Sequence, residues 1–230
     1  MRAVLVIALA VVFATPALAA NGKTLFDANC SRCHGSLGRG LPDKGPSLAH
    51  AGPGAADFYL RTGYMPLQDP HDQPARTRVL FTEGQLRALV RYVASLGGGP
   101  SIPAPHWQTG SVAAGQKLFA DHCAGCHQIV AQGGVVTGAR VPPLDQATPR
   151  QIAEAIRVGP YLMPRFSAKA ITTAQVDDIV AYVQYTKHPQ DPGGWAIGYL
   201  GPWPEGIVAW LLAAAVLVAL CCAFARRART

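Results

Sequence analysis

Methionine is scarce in this chain: there are three in 230 residues, one of them the initiator. Where methionine is that rare, the positions of the other two, Met65 and Met163, carry information that a methionine-rich core would hide. Cysteine is nearly as economical. Four of the six cysteines fall in two five-residue motifs, and Cys221 and Cys222 lie in an apolar stretch near the C-terminus. No pair is left over for a disulfide framework, so small folding units must be stabilised by something else. Charge is sparse as well, at 14% of residues. The net charge of +7 does not mark a nucleic-acid binder. Arg2, Arg226, Arg227 and Arg229 supply four of the seven, and the other basic residues are scattered without forming a stripe. Half of the chain is apolar, and this content is concentrated at the two ends.

The cysteine motifs are Cys30-Ser31-Arg32-Cys33-His34 and Cys123-Ala124-Gly125-Cys126-His127. Cys-X-X-Cys-His is the attachment sequence of c-type haem. The two thiols add across the vinyl groups as thioethers, and the histidine becomes the proximal iron ligand. A zinc site, a disulfide pair or a thioredoxin-like redox motif could use the same cysteines, although the last has no need of the histidine. The haem reading predicts two covalently bound haem c groups, held by Cys30 and Cys33 and by Cys123 and Cys126, with His34 and His127 on iron.

The chain also repeats at an offset of 93 residues: Asn21-Gly22-Lys23-Thr24-Leu25-Phe26 matches Ala114-Gly115-Gln116-Lys117-Leu118-Phe119. Each copy opens as a short helix, passes a Gly/Pro-rich stretch and a short helical segment, and ends in an amphipathic helix. Capping-box patterns at Thr82–Gln85 and Thr172–Gln175 start the two final helices. Met65 and Met163 each fall between the haem motif and the last helix, and each precedes proline, which restricts the preceding backbone. They are therefore the candidate distal ligands. Met/His ligation raises the haem potential and fills the sixth position, which favours electron transfer over catalysis at the haem, so no catalytic residue is assigned. The carbonyls of Pro46 and Pro142, at similar distances after the two motifs, are candidates to accept the second ring proton of each proximal histidine. His50, His71, His106, His122 and His188 have no matching places in the repeats and read as surface residues. Arg61 and Arg165 beside the methionine loops read as solvated charges.

The N-terminus has a charged start, an apolar run and Ala17-Leu18-Ala19, the layout of a signal peptide; cleavage there, or retention as an anchor, places the haem motifs outside the cytoplasm. Ile207 to Ala225 holds no charge and, as a helix, spans about 28 Å, close to a bilayer core. The arginines just after it place the C-terminus in the cytoplasm. The expected organisation is a signal segment (1–20), a first haem domain (21–99), a linker (100–112), a second haem domain (113–190), a juxtamembrane segment (191–206), a transmembrane helix (207–225) and a cytoplasmic tail (226–230). The expected fold class is all-α.

The two units resemble class I cytochrome c domains through Cys-X-X-Cys-His, Gly45-Pro46-Ser47-Leu48 and the Met-Pro loops. Three further stretches extend the resemblance over nearly the whole chain: Phe58 to Leu67, Tyr92 to Pro100, and Gly194-Trp195 through Gly206. With these, the chain is similar to the dihaem cytochrome c subunit of the actinobacterial-type menaquinol–cytochrome c reductase, the cytochrome bcc complex. That resemblance implies partners: a cytochrome b subunit, a Rieske iron–sulfur subunit that donates the electron, and a terminal cytochrome c oxidase that receives it. It implies a reductase subunit in the cell membrane, itself an electron carrier with no substrate site of its own. A free-standing membrane-anchored dihaem carrier and a dihaem peroxidase-type enzyme are the alternatives.

Overall fold

A computed structural model of the chain describes residues 21–189 and 203–227. The expected signal segment, most of the juxtamembrane segment and the last three residues lie outside the described residues. The chain divides into two compact units: the described part of Met1–Pro103 with Arg157–Arg165, and Ala104–Ile156 with the described part of Phe166–Thr230.

In the first unit, α1 (Gly22–Asn29) is capped by the Asn21 side chain on the Lys23 N–H. It runs into the single turn α2 (Ser31–His34), and α3 (Gly52–Arg61) and α4 (Glu83–Ser95) come next. Thr82 and Gln85 form the expected reciprocal capping box at the start of α4. Both α1 and α3 pack on α4. Gly22 sits at the α1–α4 crossing, where a Cβ would strike the Ala88 carbonyl, so a bare backbone is what lets the helices approach this closely. One turn on, the Phe26 and Tyr92 rings meet at 5.0 Å. Phe26 is completely buried and centres a cluster with Ala56, Leu60, Leu86, Leu89, Val90 and Val93. Burying a side chain of that size contributes about 1.5–3 kcal/mol.

The second unit repeats this design. A 3₁₀ turn (Trp107–Thr109) precedes α5 (Val112–His122), the single turn α6 (Ala124–His127), α7 (Pro149–Val158), of which the residues up to Ile156 belong to this unit, and α8 (Thr173–Lys187). Gly115 stands at the α5–α8 crossing against the Asp178 carbonyl, and Phe119 meets Tyr182 at 5.4 Å. The Thr172–Gln175 capping box is formed. The all-α expectation holds for both units with one small exception. The Gly/Pro-rich stretch after α6 holds a hairpin, β1 (Gly134–Val136) on antiparallel β2 (Ala139–Val141), with Val135 opposite Arg140.

The segment expected as a linker is bound at both ends, each within its own unit. The Pro100 carbonyl accepts the Gly54 N–H at 2.8 Å in the first unit. In the second, the Asp177 and Asp178 carboxylates of α8 accept the backbone N–H groups of His106 and Ser111 at 2.8 and 2.7 Å. Finally, α9 (Trp203–Arg227) contains a 22-residue stretch, Gly206–Arg227, that is long and apolar enough to cross a membrane and is not buried by the protein. It ends in Arg226 and Arg227, where positive charge complements the helix C-terminus.

Candidate haem-binding sites

The helix break at Cys30 builds the first site. Cys30 leaves helical geometry at φ −124°, and the chain re-forms a single turn in which the Cys33 and His34 N–H groups both donate to the Cys30 carbonyl, at 3.1 and 2.9 Å. Residues i, i+3 and i+4 of such a turn share one face, so both thiols and the imidazole are presented together. The second site repeats this closely. Cys123 has the same φ, and the Cys126 and His127 N–H groups donate to its carbonyl at 3.1 and 2.9 Å.

The histidine rings are anchored on the side away from Nε2. His34 Nδ1 lies 2.8 Å from the Pro46 carbonyl, and His127 Nδ1 lies 3.2 Å from the Pro142 carbonyl. With Nδ1–H donating to the carbonyl, the Nε2 lone pair is left for a metal. Burial pulls the His127 imidazole below its ordinary value, and the Pro142 carbonyl partly opposes this. Burial and the neighbouring Cys33 push the Cys30 thiol up to about 11; burial and Cys126 do the same to Cys123. Among the described residues, no group of three or more His, Cys, Asp or Glu side chains could hold a metal ion. The six cysteines are all free. Two thiols and an anchored imidazole on one turn fit covalent haem c.

Of the two candidate distal ligands, Met65 packs with Cys30 against the first core cluster. Its loop leaves α3 through Gly63, which has φ +69° and carries no Cβ to strike the Thr77 carbonyl. Thr77 Oγ1 donates to the Gly63 carbonyl at 2.5 Å, and the Met65 N–H donates back to the Tyr59 carbonyl at 3.1 Å. Met163 is half-buried, and its N–H closes a turn on the Pro160 carbonyl at 3.0 Å. Cys30, Cys33, His34, Pro46 and Met65 therefore all belong to the first unit. Cys123, Cys126, His127 and Pro142 belong to the second, whereas Met163 lies in the Arg157–Arg165 segment of the first.

The other five histidines are exposed. Arg165 is exposed too, but Arg61 corrects the sequence reading. It is not a solvated charge: Nε donates to Asp57 Oδ1 at 2.8 Å, and the two Nη groups donate to the Glu83 carboxylate at 2.7 and 2.8 Å. Sequence reasoning also missed Gly40 and Gly133, whose N–H groups donate to the His34 and His127 carbonyls at 2.8 and 3.0 Å. The signal was present, since these two glycines are 93 residues apart, like the motifs they succeed.

Comparison with known proteins agrees with the two-unit design. Residues 19–97 match the cytochrome c family, and residues 110–183 match the family of cbb3-type cytochrome c oxidase subunit III. The cytochrome bc1 complex cytochrome c subunit of Corynebacterium diphtheriae is 37% identical over 88% of this chain and 79% of its own length. That of Mycobacterium tuberculosis is 36% identical over 89% and 76%. More distantly, the cbb3-type oxidase subunit CcoP of an Azospirillum species is 30% identical over 71% of this chain and 60% of its own. Identity at that level across both haem-type units and most of each relative is the signature of common descent, and the chain belongs to the cytochrome c subunits of the cytochrome bc1 complex, membrane electron carriers with covalently bound haem c.

Proposed function

We propose that this chain carries two covalent haem c groups, one at each Cys-X-X-Cys-His turn. It relays electrons from the Rieske iron–sulfur protein of a menaquinol-oxidising bc-type complex toward a terminal cytochrome c oxidase. The observation that carries this reading is the duplicated proximal arrangement: two thiols and a histidine on one turn, the histidine anchored to a proline carbonyl 12 and 15 residues away. Cys30 and Cys33, and Cys123 and Cys126, form the thioethers. His34 and His127 are the proximal ligands, oriented by Pro46 and Pro142, and Met65 and Met163 are the distal ligands. Haem bound there supplies one-electron redox chemistry. A thioether in the sixth position raises the potential and keeps small oxidants off the iron.

The haem head lies outside the cytoplasm in this reading, with residues 21–99 and 113–190 as its two domains. It is tethered by α9, and Arg226 and Arg227 at the end of that helix favour a cytoplasmic C-terminus. The chain has no substrate site of its own; its partners are the cytochrome b and Rieske subunits and the oxidase. Purification from native membranes, with identification of the attached subunits and the haem-to-polypeptide ratio, tests this directly. Co-purification with a cytochrome b and a Rieske protein at two haems per chain is the expected result. Isolation as a free protein that reduces an oxidase unaided would overturn it.

A further inference from the structure

Arg61 is the last residue of α3, four residues before Met65. Its guanidinium spans two carboxylates on different helices. One is Asp57, one turn back on α3 and 3% exposed; the other is Glu83, the first residue of α4. The grip on Glu83 is bidentate, which fixes orientation as well as distance. Asp57 adds a second constraint. Its Oδ2 is buried without a hydrogen-bond partner among the described residues, so Nε of Arg61 on Oδ1 is the contact that compensates this carboxylate. Because the Met65 N–H is bonded to the Tyr59 carbonyl of α3, the methionine moves with the end of that helix. α4 in turn supplies Leu86, Leu89, Val90 and Val93 to the core against which Cys30 and Met65 pack.

The second repeat differs at the matching positions. Aligning the left-handed Gly63 and Gly159 that end α3 and α7 places Ala153 at the position of Asp57 and Arg157 at that of Arg61. Aligning the capping boxes places Thr173 at the position of Glu83. Neither carboxylate of the clamp is present.

We propose that Arg61 is a positioning residue for the distal ligand of the first haem: by clamping the end of α3 to the start of α4 it holds Met65 in place. Met–iron ligation there resists displacement through this clamp, whose two carboxylates have no counterpart at the matching positions of the second repeat. This rests on the assignment of Met65 as the distal ligand. Removing Arg61 outright would strand the buried Asp57 charge and endanger folding. The informative variant is therefore Glu83→Gln, which leaves the Arg61–Asp57 contact intact, with Arg61→Lys as a second, since a single ammonium does not span both carboxylates.

The test uses the full-length ferric holoprotein titrated with imidazole, which competes with the thioether for iron, while the thioether–iron absorption band is monitored. In a Met163→His background the band reports Met65 alone, and in a Met65→His background it reports Met163 alone. Glu83→Gln is expected to lower the imidazole midpoint about two- to fivefold at Met65, the range set by an exposed ion pair, and to leave the Met163 midpoint unchanged; Arg61→Lys shifts the same midpoint in the same direction. No shift at Met65, or an equal shift at both sites, would overturn the clamp. If the band survives intact in both histidine backgrounds, the ligand assignment itself fails and the clamp falls with it. That outcome is distinct from one in which the backgrounds behave as expected and Glu83→Gln is silent.

Discussion

Two rules of helix energetics make opposite predictions for Gly115→Ala. Gly115 lies inside the 11-residue α5, where alanine is favoured over glycine by about 0.8–1.0 kcal/mol. On propensity alone the variant is more stable. The crossing with α8 argues the reverse. A Cβ at Gly115 would overlap the Asp178 carbonyl oxygen, lie 2.6 Å from the Asp178 carbonyl carbon and 2.9 Å from Tyr182 Cβ. None of these is the free end of a flexible side chain, and α5 can relieve the overlap only by moving off α8. That motion would loosen the Phe119–Tyr182 contact one turn away. Overpacking costs about 1–3 kcal/mol, and a clash with rigid backbone belongs at the upper end. Subtracting the propensity gain leaves a net destabilisation of about 2 kcal/mol.

For a unit of this size that corresponds to a fall of about 8–16 °C in the midpoint of its thermal transition, measurable by far-ultraviolet circular dichroism on the full-length ferric holoprotein. Gly84→Ala is the control. It lies in the first turn of α4, and nothing stands within 4 Å of its missing Cβ, so its midpoint holds or rises slightly. A Gly115→Ala protein as stable as the parent, or more so, would refute the crossing argument and leave propensity as the governing term.

Gly22→Ala meets the Ala88 carbonyl in the same way and is expected to lower the first unit's transition by a comparable amount in the same assay. Thr172→Ala removes the hydroxyl that caps the Gln175 N–H and is expected to cost about 0.5–2 kcal/mol, read from the second unit's denaturant midpoint. The Arg61 guanidinium hydrogen-bonded to Glu83 holds that carboxyl at about 2 against an ordinary value of 4.5. A depressed carboxyl contributes stability above its unfolded value that is lost on acidification. The stability difference between the parent and Glu83→Gln is therefore expected to be full above pH 4.5 and to vanish toward pH 2; a difference independent of pH across that window would count against the ion pair. Replacing Cys123 and Cys126 with alanine is expected to lower the haem-to-polypeptide ratio from two to one in purified protein, measured by absorption of the alkaline pyridine adduct.

Local patterns were legible in the sequence wherever a few adjacent residues determine the structure. The capping boxes at Thr82 and Thr172 mark the first turns of α4 and α8, because a side chain reaching three residues along the chain needs no tertiary context. The apolar run from Ile207 to Ala225 finds the core of α9, but the helix extends over Trp203–Arg227, since a proline near its start and arginines in its last turn are compatible with helix even where the apolar pattern stops. The hairpin after α6 was not legible. Its strands are three residues each, too short for alternation to show, and the glycines around it read only as loop. The Arg61 clamp was hidden for a different reason. Asp57 is a helical neighbour at i−4, but the stronger grip is on a carboxylate 22 residues away, brought close only when α3 packs on α4.

The two copies do not differ at random. Their proximal sides match in helix break, turn and histidine anchor, with ring-to-carbonyl distances of 2.8 and 3.2 Å. The segments that carry Met65 and Met163 diverge. Met65 comes two positions after Gly63, whereas Met163 comes four positions after Gly159. The Met65 N–H is tied to α3, whereas the Met163 N–H only closes a turn on Pro160. In the proposed reading, covalent haem attachment makes the same demand on both sites, which explains a shared proximal side. Ligand strength and solvent access on the distal side are what set one haem's potential apart from the other's. Under the proposed ligation, the differences that would give a two-haem relay its direction are therefore concentrated in the segments between α3 and α4 and between α7 and α8.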